Sequence, residues 1–160
     1  MPLAHDEPPV RIASIGHPSP SVGHDDTMGP QDLGVDAFAF VTERHLATLT
    51  TLRADGSPHV VAVGFTYDPS RQIVRVITFA SSVKARNALR GGRAAISQVD
   101  GARWITFEGA VRVSDHAADI AAAVAAYAAR YRQPKQRTDR VVIEIAVDRI
   151  MGSTSMRGAA

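Results

Sequence analysis

The sequence predicts an α+β fold, mainly β with a few helices, built around a small antiparallel barrel of six strands. Three observations lead to this prediction. The 160-residue chain is long enough for one domain with a real core. Apolar residues recur with a strand-like period in six short runs that turn signals separate. Three further runs have a helical character, and strands that meander through tight turns close most simply into a small barrel.

The first 32 residues are predicted to form a disordered, Pro-rich acidic tail, followed by one folded domain over residues 33–160. Six of the nine prolines fall within the first 30 residues, where no apolar period is present. In this tail one arginine stands against five acidic residues, a net charge of −4, so the folded domain carries +6. A basic domain favours an anionic partner.

The folded domain is predicted to begin with a short helix, capped by Asp32 or Asp36, and to continue with three meandering strands. The three strands are His45–Arg53, Pro58–Tyr67 and Ile73–Ala80. Between the first two, Asp55-Gly56 is a strong hairpin signal.

A short helix, two strands, a long helix and a last strand complete the prediction. Their ranges are Val83–Leu89, Ala94–Val99, Arg103–Val113, a helix capped by Ser114 or Asp115 that runs to about Tyr131, and Arg140–Asp148. Gly109 lies on the apolar face of the fifth strand and predicts a bulge or a close backbone approach. In the long helix Ile120, Val124, Tyr127 and Tyr131 form one stripe, which we expect to pack on the sheet.

Composition and motifs exclude several kinds of chemistry. The chain has no cysteine, which excludes disulfides, thiolate metal sites and cysteine nucleophiles. It has no metalloprotease helix, no nucleophile elbow and no phosphate-binding glycine pattern, and its acidic residues are scattered. We therefore expect no metal ion, and a reaction whose chemistry comes from a cofactor.

The same reasoning bears on location and partners. The longest apolar stretch, residues 120–129, is half as long as the roughly 20 residues that a membrane span needs. The N-terminus has neither a basic start nor an apolar run, so it does not read as a signal peptide. We expect a soluble, cytoplasmic protein that binds no membrane. We also expect no nucleic acid, because no aromatic residues interleave with the basic runs.

The best local signal for binding is the passage from the third strand into the short helix. Free N–H groups at a helix N-terminus and the hydroxyls of Ser81 and Ser82 suit an anion. Lys84 and Asn87 share one helix face, and Arg86 reaches the same region. The segment is therefore a candidate phosphate site, with an ordinary capped and solvated helix as the alternative.

Three more residues are candidates for function. Arg103 begins a strand beside the tight turn at Asp100-Gly101 and can aim its guanidinium at a carboxylate or phosphate. Trp104 follows on the more polar face, which is typical of a dimer interface or of a planar ligand. His59 opens the second strand and is either a hydrogen-bonded structural residue or an acid or base.

Taken together, these segments resemble the flavin- and deazaflavin-dependent split β-barrel family, which includes the pyridoxamine 5′-phosphate oxidase-like proteins. The resemblance rests on the run from Glu43 to Val61, the strand–Ser–x–x–Lys–x–x–Asn element, the turn from Asp100 to Trp104, and the ending with Val141–Glu144 and Met151–Ser153. It extends from about residue 38 to residue 153. Within this family the resemblance is strongest to the actinobacterial branch that reduces biliverdin with reduced coenzyme F420.

The resemblance implies a homodimer of six-stranded split β-barrels of the FMN-binding type, with a deazaflavin in a groove between the subunits. It implies cofactor contacts on the second strand (His59, Val60, Val61, Ala62) and at the end of the third (Ile77, Thr78, Phe79, Ala80, Ser81). Lys84 and Asn87 would hold the phosphodiester. The turn of Asp100, Gly101, Ala102 and Arg103 would close the other side.

The implied activity is hydride transfer from C5 of the reduced deazaflavin to a conjugated acceptor, such as the C10 methine of the tetrapyrrole biliverdin, which gives bilirubin. No residue is a convincing proton donor, so solvent or His59 would supply the proton. Arg103, or arginines within residues 130–140, would pair with the propionates. Two alternatives stay open: an FMN-dependent pyridoxamine 5′-phosphate oxidase-like enzyme, and a non-catalytic carrier of F420, a flavin or a haem-like ligand.

Overall fold

Within residues 27–158, which the computed structural model describes, eight antiparallel strands form one sheet with three α-helices packed against it. The strands are β1 (Thr27–Met28), β2 (Ala47–Leu52), β3 (Pro58–Val63), β4 (Thr66–Asp68), β5 (Ile73–Phe79), β6 (Arg93–Asp100), β7 (Arg103–Ser114) and β8 (Arg140–Gly152). The helices are α1 (Val35–Thr42), α2 (Val83–Leu89) and α3 (Ala117–Arg130). The strand order along the sheet is β3-β2-β6-β7-β8-β5-β4, and β1 pairs with β8.

The predicted second strand, Pro58–Tyr67, is wrong as a single element, because the chain breaks it into β3 and β4. Gly64 lies against α3, where an added Cβ would come within 2.9 Å of the Tyr127 ring. The Phe65 N–H donates to the Tyr131 hydroxyl over 3.2 Å. These contacts turn the chain, so that β4 pairs with β5 at the opposite edge of the sheet from β3. With β1, this break brings the described strands to eight instead of the predicted six.

Regular structure begins before the predicted domain boundary at residue 33. Thr27 and Met28 pair with Met151 and Ile150 of β8, and Met28 is buried. A short 3-10 turn, Pro30–Asp32, follows. This pairing joins the two ends of the domain, so no local pattern could reveal it. The rest of the predicted tail, residues 1–26, lies outside the described residues.

The bulge predicted at Gly109 is confirmed. The pairing of β7 with β8 shifts register between Glu108 and Gly109. A Cβ on Gly109 would lie 1.8 Å from the carbonyl oxygen of Ala146, so the two backbones approach more closely than any side chain allows.

The two faces of the β2–β6–β7 region differ in burial. On the inner face Leu49, Ile96, Phe107 and Ile150 are successive cross-strand partners and are fully buried, so they form a row through the barrel core. The outer face carries exposed apolar side chains. Four of them, Leu46, Leu52, Val60 and Val99, keep 47–60% of their surface exposed, and we call these four the apolar face. No helix within residues 27–158 is long and apolar enough to span a membrane.

Candidate functional site

A groove of about 310 Å³ opens between the end of β3, the end of β5, α2 and the segment after α3. We call it the central groove. Five residues singled out in the sequence line it: Ala62, Ile77, Thr78, Phe79 and Lys84. The structure adds six that sequence reasoning did not assign to the cofactor site: Val63 and Gly64 at the end of β3, Tyr127 of α3, and Pro134, Arg137 and Arg140 of the following segment.

The α3 stripe does more than pack on the sheet, because it lines two further pockets. Tyr127 and Tyr131 line a pocket of about 370 Å³, the tyrosine pocket, whose other residues are Arg44, His45, Leu46 and Arg132. Ile120 and Val124 line an outer pocket of about 410 Å³ against residues 133–138 and Arg140. Both pockets share wall residues with the central groove, and we call the three adjoining cavities together the trough. The two hydroxyls in the stripe were the missed signal, since a purely apolar contact does not need them.

Lys84 brings an unneutralised positive charge to the central groove. Its half-buried ammonium lies 5.9 Å from the centre of the Phe79 ring. No carboxylate of the described residues comes within ion-pair distance of it. Burial lowers the pKa of Lys84, because the charged form loses hydration. A partly desolvated cation without a partner favours a bound anion.

The Phe79 side of the groove is held in place by contacts within the chain. The Arg137 guanidinium lies 4.6 Å from the centre of the Phe79 ring and is fixed by two hydrogen bonds, 2.8 and 2.9 Å, to the Asp139 carboxylate. The Ala80 N–H donates to the Asp139 carbonyl oxygen over 2.9 Å. Ala80 and Ser81 are exposed and lie beyond the groove lining. The wall is therefore formed before any ligand binds.

Two polar residues of the predicted phosphate site serve the fold. Ser82 caps α2: its Oγ accepts from the Ala85 N–H at 3.2 Å. Asn87 is buried; its amide donates to Thr51 Oγ1 at 3.0 Å and accepts from Arg90 at 2.8 Å. Asn87 therefore ties α2 to β2 and does not face the groove. The three-residue spacing predicted that Lys84 and Asn87 share one face of α2. Instead, Lys84 lines the central groove and Asn87 contacts β2.

The predicted contacts on β3 divide between two sides of the strand, because side chains alternate along a strand. Val60 and Ala62 are exposed, whereas His59 and Val61 are half-buried. Only Ala62 of these four lines the central groove. His59 Nδ1 is buried with no hydrogen-bond partner among the described residues. Because buried polar atoms normally have a partner, this nitrogen lacks one that a ligand or water would supply.

The Asp100–Arg103 turn does not reach the central groove of its own chain. The Arg103 guanidinium donates to both carboxylate oxygens of Glu43, at 2.9 and 3.1 Å, and to Asp100 at 2.5 Å. The hydrogen bond from Arg103 lowers the pKa of Glu43, and the hydrogen bonds to Glu43 and then Asp100 raise the pKa of Arg103. Both carboxylates are exposed, and so are Gly101 and Ala102.

Free cations concentrate in the trough. Of the lysines and arginines within residues 27–158, five have a side chain that forms no hydrogen bond or ion pair with another described residue. Four of them line the trough: Lys84, Lys135, Arg44 and Arg132. The fifth, Arg71, lies in the turn between β4 and β5. In the same range no three His, Asp or Glu side chains come close enough together to hold a metal ion.

The sequence pattern of the pyridoxamine 5′-phosphate oxidase family matches residues 36–153, most of the chain. The chain belongs to this family. The resemblance found in the sequence is thereby confirmed, and the match spans both walls of the central groove.

Individual proteins give a more specific comparison than the family pattern. Over 124 residues the chain is 55% identical to the F420H2-dependent biliverdin reductase of Mycobacterium tuberculosis (strain CDC 1551 / Oshkosh), covering 78% of this chain and 90% of that protein. The fold is similar to that of a conserved hypothetical protein of M. tuberculosis, with a TM-score of 0.64 at 23% identity over 76% of this chain and 86% of the other. It is also similar to an F420 reductase, with a TM-score of 0.58 at 23% identity over 70% and 93%. The predicted α+β split-barrel fold is confirmed by these likenesses.

Proposed function

We propose that this protein is a reductase that uses reduced coenzyme F420 to reduce biliverdin to bilirubin in the cytoplasm. The observation that carries the proposal is the 55% identity to an F420H2-dependent biliverdin reductase over 90% of that relative's length.

The central groove fits such a cofactor. Ile77 and Phe79 offer apolar walls for a planar ring system, while Lys84 supplies a free positive charge for a phosphodiester. The unpartnered Nδ1 of His59 lies on the strand that forms one side. When bound, the deazaflavin supplies the hydride, which C10 of the tetrapyrrole accepts.

The chain's own residues then bind and orient the cofactor and the substrate, and they exclude water. The stacked Arg137 and Phe79 hold one wall, and Lys84 anchors the anionic end, so that the reacting faces meet in a fixed geometry. We assign the proton to solvent, because among the described trough residues no carboxylic acid faces the central groove. His59 is the alternative proton donor.

We propose that the active form is a homodimer joined through the apolar face. Three of its exposed side chains lie on the neighbouring strands β3, β2 and β6, and Leu46 directly precedes β2; such a patch on a small domain favours association. Trp104 pairs with Val99 across β6 and β7 and extends the patch. The second copy would bring its turn of Asp100 to Arg103 toward the groove, which a single chain leaves open on that side.

A titration followed by a turnover assay tests the proposal. The full-length protein should quench or shift F420 fluorescence at micromolar concentration, with FMN as the comparison. Reduced F420 should then be reoxidised on addition of biliverdin, with bilirubin appearing in equal amount. Tight FMN binding without F420 binding would instead favour the FMN enzyme. Binding of F420 and biliverdin without turnover would favour the non-catalytic carrier.

A further inference from the structure

The tyrosine pocket adjoins the central groove, and Tyr127 forms the wall between them. Tyr127 and Tyr131 stack with ring centres 4.8 Å apart and planes tilted by 32°. Gly64 lets this pair lie directly against the end of β3, since a Cβ there would come within 2.9 Å of Tyr127 and 3.1 Å of Tyr131. The pocket thus offers an aromatic surface beside the groove.

Two arginines stand at fixed positions around this surface. Arg44 precedes His45, whose carbonyl oxygen accepts a 2.7 Å hydrogen bond from the Tyr131 hydroxyl, and Arg132 follows Tyr131. A second tie joins the same two segments, because Arg130 Nε donates to the Glu43 carbonyl oxygen over 2.9 Å. The backbones that carry the two guanidiniums are therefore held together, although 88 positions separate them in the chain.

Both guanidiniums are free, and this is unusual in this protein. Of the fifteen arginines within residues 27–158, only Arg44, Arg71 and Arg132 have a side chain that forms no hydrogen bond or ion pair with another described residue. Two of these three line one pocket. The carboxylate nearest in sequence, Glu43, is already bound by Arg103 and so does not neutralise them.

We infer that the tyrosine pocket binds the carboxylates of the substrate, with Arg44 and Arg132 each pairing with one propionate of a planar conjugated molecule. This rests on the proposed function and deepens it, since biliverdin carries two propionates. Guanidinium and carboxylate match in a two-pronged geometry, and the tyrosine rings offer a stacking surface for a pyrrole. The conjugated remainder would extend past Tyr127 into the central groove.

The test compares biliverdin with its dimethyl ester, which lacks both negative charges. Wild-type, Arg44→Gln and Arg132→Gln proteins are compared at full length, with Arg71→Gln as the control because Arg71 is free but remote. We expect each pocket variant to raise KM for biliverdin roughly tenfold or more, the usual effect of losing a charge-assisted contact. KM for the ester, kcat and F420 affinity should stay as in the wild type.

Three results would overturn the inference. The inference fails if the wild type uses the ester as well as the acid, if the pocket variants behave like Arg71→Gln, or if they weaken F420 binding and leave the KM for biliverdin unchanged. The last result would assign the pocket to the cofactor. Absorbance titration of biliverdin and its ester without cofactor keeps the test separate from the proposed function. If the wild type binds the acid better than the ester but does not turn it over, the reductase proposal fails while the pocket assignment holds.

Discussion

Arg75 of β5 and Glu144 of β8 are cross-strand partners that form a buried ion pair, with Arg75 Nε 3.1 Å from Glu144 Oε1. Glu144 retains 3% side-chain exposure and Arg75 retains 7%. Asp68 binds the same guanidinium at 3.1 Å, and Arg112 binds the other oxygen of Glu144. Four strands, β4, β5, β7 and β8, are therefore joined by one charge network next to the β5 wall of the central groove.

Glu144→Gln should destabilise the fold by about 3–5 kcal/mol, because it removes a buried carboxylate from the buried Arg75 guanidinium. Urea unfolding followed by circular dichroism measures this. The control is Asp148→Asn, which breaks the exposed pair with Arg93 and should change stability little. Equal small effects of both substitutions would contradict a structural role for the network.

Lys84→Met should weaken F420 binding by about 1–3 kcal/mol, roughly 5- to 150-fold, since it removes the free charge while keeping the length of the side chain. Fluorescence titration measures the affinity. Arg71→Gln serves as the control for loss of a free cation elsewhere. An unchanged affinity in Lys84→Met would remove Lys84 from the cofactor site.

F420 binding should weaken with rising pH before the ordinary lysine pKa of 10.5 is reached, because burial lowers the pKa of Lys84 in the folded protein. The effect of the same lowered pKa on folding stability has the opposite sign. Between the lowered pKa and the ordinary value the unfolded chain binds more protons at this site, so the site's contribution to stability rises with pH. In Lys84→Arg the charge persists, and the alkaline loss of binding should disappear. If that loss persisted unchanged, another group would be responsible.

Gly64→Ala should lower stability by about 1–3 kcal/mol and raise KM for biliverdin, because the new methyl group pushes Tyr127 and Tyr131 off the end of β3. Thermal unfolding and steady-state kinetics measure the two effects. Gly109→Ala is the comparison. An alanine Cβ at position 109 would lie 1.8 Å from the carbonyl oxygen of Ala146. This backbone atom cannot move aside as a tyrosine ring can, so the loss of stability should be larger. A Gly64→Ala protein with wild-type kinetics would argue against the tyrosine pocket as a substrate site.

Val60→Asp should convert the proposed dimer to a monomer, because it places a charge within the apolar face. Light scattering measures the mass, and F420 titration should show a weaker site if the partner completes it. Val35→Asp is the matched control: Val35 is 85% exposed and lies on α1, outside the apolar face. A wild-type protein that is monomeric at micromolar concentration would contradict the dimer directly.

Sequence alone determined most of the elements and part of the site. Strand and helix periods, the cap at Ser82 and the bulge at Gly109 are local signals, and each is set by a few neighbouring residues. The motifs around Lys84 and Phe79 pointed to residues that do line the central groove. Backbone geometry and turn chemistry act over short distances, so a single sequence contains them.

Tertiary structure decided what depends on distant partners. Packing against α3 interrupts the predicted second strand at Gly64. Asn87 donates a hydrogen bond to Thr51, and Arg103 pairs with Glu43, so neither side chain is available to a ligand in the central groove. Tertiary structure also brought Arg44 and Arg132, which are 88 positions apart in the chain, into one pocket. A polar side chain is free for a ligand only if no other side chain reaches it, and that depends on how the whole chain packs.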